Sequence, residues 1–209
     1  MVTDELYRPY RDEKYLAFSK ALSPTDTLPR AGIRVPVLRT LAKTIQPQEV
    51  EEYHYHEDIN LVGLAIGAQK WPLERKLQEL DKLLPYLSSW DHTDLIQTAF
   101  KPKKKEEEEA YQYFTSLLKD ERVYTKRLGI VWLMPNRKKY DRDTVLDLIL
   151  SADDENEYYI SMAVAWAVSF FFLDDPSVEP RLMELSPITR KRTLQKIRDS
   201  RRFRTKEDR

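Results

Sequence analysis

Residues 73–96 read LERKLQELDKLLPYLSSWDHTDLI. Leu73, Leu77, Leu80, Leu84 and Leu87 recur at intervals of four, three, four and three. That spacing puts the leucines on one face of a 3.6-residue helix and leaves Glu, Arg, Lys and Gln on the other. Ser88-Ser89 then makes a turn and capping region, and a second helix starts at Trp90. Two short helices joined by a tight turn form the unit from which the rest of the chain is read.

The same alternation of helix and break continues in both directions. Upstream, helices are expected over 11–22, 37–45 and 57–70. Pro36 opens the second of these, where a missing N–H costs nothing, and SPTDTLPRAG (23–32) is a loop. Gly63 and Gly67 lie one turn apart, as close helix packing requires. Downstream, KPKKKEEEE opens a helix reaching about Lys119. Further helices are expected over 122–134, 141–151, 156–172, 177–185 and 188–200, divided by Pro135, the acidic 153–155 stretch and Pro176. No run alternates apolar and polar residues with β-branched enrichment, so the class is all-α. Helices in paired succession indicate an α-solenoid. Arg127 lies 37 residues beyond Trp90, and Trp166 lies 39 beyond Arg127. HEAT-type helical pairs repeat at about 40 residues, and stacked repeats place such residues at corresponding positions.

Composition excludes much chemistry. The 209 residues contain no Cys, three His and four Gly. Thiolate nucleophiles, disulfides and Cys-ligated metals are excluded. The isolated glycines cannot form a phosphate loop or a dinucleotide fingerprint. The length fits one domain over 1–209 with a basic tail at about 201–209. The apolar 158–173 stretch is shorter than the roughly 20 residues a membrane span needs. MVTDELYRPY has no apolar core of the kind a secretory signal carries. A monomer of the cytosol or nucleoid, without cofactor, is expected.

Lys and Arg together number 35, as do Asp and Glu. The balance hides an uneven distribution. From Arg190 to Arg209 ten basic residues face three acidic ones; Lys101, Lys103, Lys104 and Lys105 form a second basic patch and Lys126-Arg127 a third. Such patches suit a polyanion, whose counterions are released on binding; they equally suit solvated helix faces with i,i+4 ion pairs.

Several residues are candidates for chemistry. Trp90 and Asp94 are four apart and share a helix face, so an indole and a carboxylate stand ready to stabilise a developing cation. The competing reading makes Trp90 a core residue and Asp94 a salt-bridge partner. Asp91 is expected to complement the helix N-terminus. His92 is either an acid–base group or a surface residue. His54-x-His56 has the form of a metal pair but lacks a third ligand of its own kind, and is expected to be solvated. Arg127 on an apolar helix needs a partner, either a carboxylate of a neighbouring repeat or a phosphate. Trp166 reads most simply as core.

These segments together resemble the DNA alkylation repair family, the AlkD-like HEAT-repeat DNA glycosylases. The resemblance spans about 11–204. It rests on DEKYLAFSKALSP with GIRVPVLRTLAK, HEDINLVGLAIG, SSWDHTDLI, YTKRLGIVWLM, EYYISMAVAWAVSFFF and TLQKIRDSRRFR. It implies a superhelix of HEAT-like repeats with a concave, basic surface cradling double-stranded DNA. The implied activity is excision of cationic N3- and N7-alkylated purines without base flipping. Asp94 is then the catalytic carboxylate, Trp90 and Trp166 are catalytic aromatic neighbours of the lesion's deoxyribose and backbone, and Arg127 contacts phosphate. Lys126, Lys103, Lys104, Arg190, Lys191, Lys196 and Arg201 are the further expected DNA contacts. The alternatives are a non-catalytic solenoid binding damaged, bent or branched DNA, and a protein-interaction scaffold.

Overall fold

The computed structural model describes residues 3–22 and 27–200. Part of the expected 23–32 loop, the 201–209 tail and Arg201 lie outside the described residues. Every regular element among the described residues is helical, as the periodicities predict. The α-helices are α1 (Thr3–Tyr7), α2 (Glu13–Leu22), α3 (Val35–Leu41), α4 (His56–Ala68), α5 (Leu73–Leu83), α6 (Trp90–Ile96), α7 (Glu107–Ser116), α8 (Val123–Asn136), α9 (Arg142–Ser151), α10 (Tyr158–Asp174) and α11 (Pro187–Asp199). Short 3-10 turns link several of them. The chain forms two compact units, residues 1–107 and 108–209.

In the first unit α4 is the axis. Its residues from His56 to Ile66 are all buried, and α3, α5 and α6 pack around it. Leu73, Leu77 and Leu80 of α5 are buried as their spacing requires, each contributing about 1.5–3 kcal/mol. The leucine helix ends at Leu83, and Leu84–Tyr86 tightens into a 3-10 turn at Pro85. The close approach expected at Gly63 and Gly67 is present. A methyl group on Gly63 would strike Ile96, and one on Gly67 would lie 2.7 Å from the carbonyl oxygen of Ala99.

The loop before α3 is held by the start of α4. Gly32 adopts φ +78°, a conformation open to glycine. The buried carboxylate of Glu57 accepts the backbone N–H groups of Ala31 (2.8 Å), Gly32 (2.9 Å) and Ile33 (3.2 Å). Asp58 accepts those of His54 and Tyr55, each at 2.8 Å, which closes the N-terminus of α4. α3 ends at Leu41, earlier than expected, because the Thr44 hydroxyl takes the Leu41 carbonyl (2.9 Å) and the backbone turns to i→i−3 bonds.

In the second unit α10 is the buried axis, with α8, α9 and α11 against it. Phe114 and Trp132 stack at 4.3 Å with their planes 10° apart. Pro135, expected to end α8, lies within its last turn, and the helix continues to Asn136. The expected helix over 177–185 is instead a 3-10 segment from Pro176 to Glu184, with Pro180 inside it. A proline there removes an N–H that an α-helix would use. No helix among the described residues is long and apolar enough to cross a membrane.

Candidate active site

Trp90 opens α6 and Asp94 follows one turn later, so both side chains leave the same face of the helix. Both are half-buried, whereas His92, Thr93, Leu95 and Ile96 around them are buried. The Thr93 hydroxyl ties the pair together: Oγ1 lies 2.7 Å from the Trp90 carbonyl and 3.2 Å from Asp94 Oδ1. Trp90 and Asp94 line a cavity of about 260 Å³ whose other walls come from α2, α3, α4 and the segment before α3. The carboxylate therefore stands at an indole, in a partly desolvated recess where its charge acts more strongly than in water.

Asp91 also lines the recess and does more than complement the helix end. Its carboxylate contacts His56 Nε2 at 2.8 and 3.0 Å and Arg30 Nη1 at 3.3 Å. Burial pushes this carboxyl up, but the hydrogen bond and charge of His56 more than reverse that, holding it far below the usual carboxylate range. The expectations of a solvated His56 and a surface His92 are overturned. His56 is 1% exposed and His92 is fully buried. The two rings stack at 4.0 Å. His92 Nδ1 accepts from Ser88 N–H (3.3 Å), and Nε2 lies 3.1 Å from the His56 carbonyl, which fixes its tautomer. Burial lowers its pKa to about 3, so the ring is neutral at physiological pH.

His56, Asp91 and His92 bring donor atoms within 4.8 Å of one another. A metal needs lone pairs that converge on one point. The lone pairs of imidazoles lie in the ring planes, and two rings stacked 28° apart direct them side by side. Both nitrogens of His92 are also already engaged. The cluster is an internal brace for α4 and α6.

In the second unit Arg127 is 5% exposed, and its Nη1 donates to the carbonyl oxygen of Tyr159 at 2.8 Å. A backbone carbonyl of α10 is thus one partner of this buried cation. Trp166 lies two turns along α10 from Tyr159. It is half-buried, unlike the fully buried Trp132, and neighbours Phe170 at 6.3 Å between ring centres. Lys103, Lys104 and Lys191 are exposed; Lys126, Arg190 and Lys196 are half-exposed.

The i,i+4 spacing made the Trp90–Asp94 pairing readable. Glu57, Arg30, Asn60 and the His56–Asp91 contact escaped sequence reading. The acid-rich HED start of α4 signals a helix N-terminus, but its partners lie more than 20 residues away.

A search of curated proteins finds no match. A family model described as DNA alkylation repair enzyme matches residues 4–170, most of the chain. The family fold is one of HEAT-like helical repeats, in keeping with the all-helical units described above. The match includes all of α2 to α9 and α10 as far as Phe170, and with them Trp90, Asp94, Arg127 and Trp166. The chain belongs to the DNA alkylation repair enzyme family.

Proposed function

We propose that the protein is a monofunctional DNA glycosylase that hydrolyses the N-glycosidic bond of N3- or N7-alkylated purines in duplex DNA without flipping the base. The observation that carries this reading is the half-exposed Asp94 carboxylate held one turn from the Trp90 indole at a recess. Family membership gives DNA as the substrate class.

The chemistry suits so small a constellation. Alkylation at N3 or N7 places a positive charge on the base, so the base departs neutral and needs no acid. The sugar left behind is an oxocarbenium-like cation. Asp94 stabilises that cation and orients the attacking water, which adds to the anomeric carbon. The face of Trp90 adds attraction for the same charge; a role for Trp166 rests on the resemblance alone. Lys103, Lys104, Lys126, Arg190, Lys191 and Lys196 hold phosphates through side chains with exposed surface. Arg127 belongs to this set by resemblance, and it is the most enclosed member.

Incubation with a duplex carrying N7-methylguanine, followed by detection of released base, tests the reading. Wild type should release base and Asp94→Asn should lose about 100-fold or more of the rate, the scale of removing one electrostatic group from a transition state. Equal release by the variant removes Asp94 from the mechanism. Salt-dependent binding with no release leaves a DNA-binding protein without excision.

A further inference from the structure

At the end of α4 away from His56, a second cavity of about 470 Å³ opens between the end of α4, the start of α5 and the segment that follows α6. It shares no wall residue with the Trp90–Asp94 recess. Four lysines line it, Lys70, Lys76, Lys101 and Lys103, against one carboxylate, Glu106. Lys70, Lys101 and Lys103 are exposed and Lys76 is half-buried, so a solute reaches this wall from solvent.

Positive charge is left over on the wall. Elsewhere in the chain lysines find carboxylates: Lys82 pairs with Glu79 and Lys138 with Asp174. Among the described residues none of the four cavity lysines makes an ion pair. Glu106 turns Oε2 to the backbone N–H of Lys103 at 3.0 Å. Lys76 is the fixed member of the set. Its Nζ donates to the Gly67 carbonyl at 2.7 Å, which holds the ammonium at the wall and leaves its other N–H donors for a ligand. Burial lowers the Lys76 pKa, Glu106 pushes it back up and Lys103 pushes it down again, so the Lys76 and Lys103 charges stand close enough to repel.

Such a wall calls for an anion, and its shape favours one kind. A phosphodiester inside a strand carries one charge and is flanked by sugar on both sides. A phosphate monoester ends in three acceptor oxygens and carries about 1.5 to 2 negative charges near pH 7. Its charge answers the lysine excess better, and its free end can enter a concavity. Lysine ammonium groups bind phosphate as point charges on flexible stems, so lysines from separate segments can converge on one phosphate. The volume falls within the roughly 300–1,000 Å³ of small-molecule sites and leaves room for more than the phosphate. The half-buried Trp71 on the same wall offers apolar surface to the rest of the ligand.

We infer that this cavity binds a phosphate monoester, with Lys76 as its anchor and Lys70, Lys101 and Lys103 around the terminal oxygens. The monoester belongs either to a free nucleotide or to the 5′-phosphate end of a DNA strand. The inference goes beyond the excision proposed above and does not depend on it, because none of the chemistry assigned to Asp94 passes through this cavity.

Two arms test it, both by calorimetry on the full chain. In the first, deoxyadenosine 5′-monophosphate is compared with deoxyadenosine. In the second, a duplex with 5′-phosphate ends is compared with the same duplex ending in hydroxyls. The phosphorylated ligand should bind about tenfold or more tightly in at least one arm, the scale of one hydrogen bond to a charged group, and that arm names the source. Lys70→Gln combined with Lys101→Gln, both at exposed positions, should reduce that preference at an unchanged helical circular-dichroism signal. Equal binding with and without phosphate in both arms overturns the inference. A preference undiminished in the double variant also overturns it. The excision assay with Asp94→Asn reads the other site, so each result stands without the other.

Discussion

His56 Nε2 lies 2.8 Å from Asp91 Oδ2, although 35 residues separate them, and this contact joins the start of α4 to the start of α6. Both Asp91 and Asp94 line the recess, but the Asp91 carboxylate is committed to His56 and Arg30 and so anchors the short helix. Asp91→Asn keeps the size of the side chain but removes the charge that His56 and Arg30 face. It should cost about 1.5–3 kcal/mol of stability, the range for a hydrogen bond to a charged group. Chemical denaturation measures this directly. A loss of activity in Asp91→Asn with stability unchanged would assign Asp91 to the chemistry and not to the anchor.

The neutral, buried His92 makes stability depend on pH. Its folded pKa, about 3, lies below the value near 6.5 of the unfolded chain, so between those limits the unfolded state binds more protons. Stability is therefore lost as pH falls from about 6.5 toward 3, at up to about 1.4 kcal/mol per pH unit for this one group. Asp91, whose pKa is depressed, adds a loss that begins lower, near its ordinary unfolded value of about 3.9. Urea midpoints from pH 7 to pH 4 should drop steadily in wild type and flatten in His92→Gln. A wild-type profile flat over that window would contradict the assignment.

The two α4 glycines should differ in their response to alanine. At Gly63 the obstacle is the Ile96 side chain, with Cδ1 2.6 Å from the added methyl, and a side chain can turn aside. At Gly67 the obstacles include the Ala99 carbonyl oxygen at 2.7 Å, and moving it shifts the backbone just after α6. Both substitutions overpack the interface, at a cost of about 1–3 kcal/mol, and Gly67→Ala should be the worse. Thermal melts of the two single variants decide the order.

The helical frame was legible because leucines at three and four residue intervals have one economical burial, and Leu73, Leu77 and Leu80 take it. Trp90 and Asp94 were legible for the same reason, as a helix-period pair. The partners of Asp91 were not. A polar residue at a helix N-terminus has the same local appearance whether it faces water or a histidine on another helix. His56 and His92 were read as exposed because their neighbours in sequence are polar, yet they are buried together by the packing of α4 on α6. Period-based reading also missed α1, a helix of five residues that shows no full repeat of any pattern. It took 177–185 for a helix of the ordinary kind, where Pro180 interrupts the α-helical bonding and the chain forms a 3-10 segment from Pro176 to Glu184.

The zero net charge does not prevent binding to a polyanion if particular lysines neutralise phosphates. Lys103 and Lys104 are exposed, so replacing them should leave the fold intact. For duplex DNA each phosphate contact contributes about 0.9 to the slope of log affinity against log salt. Lys103→Gln and Lys104→Gln should each lower that slope by about this amount and weaken binding equally on every sequence. Arg127→Gln separates two roles. Its hydrogen bond to Tyr159 predicts a loss of stability, whereas a phosphate contact predicts a lower salt slope as well. Titrations at several salt concentrations alongside denaturation curves distinguish these. A destabilised Arg127→Gln whose slope matches wild type would make Arg127 a brace between α8 and α10 and leave phosphate binding to the exposed lysines.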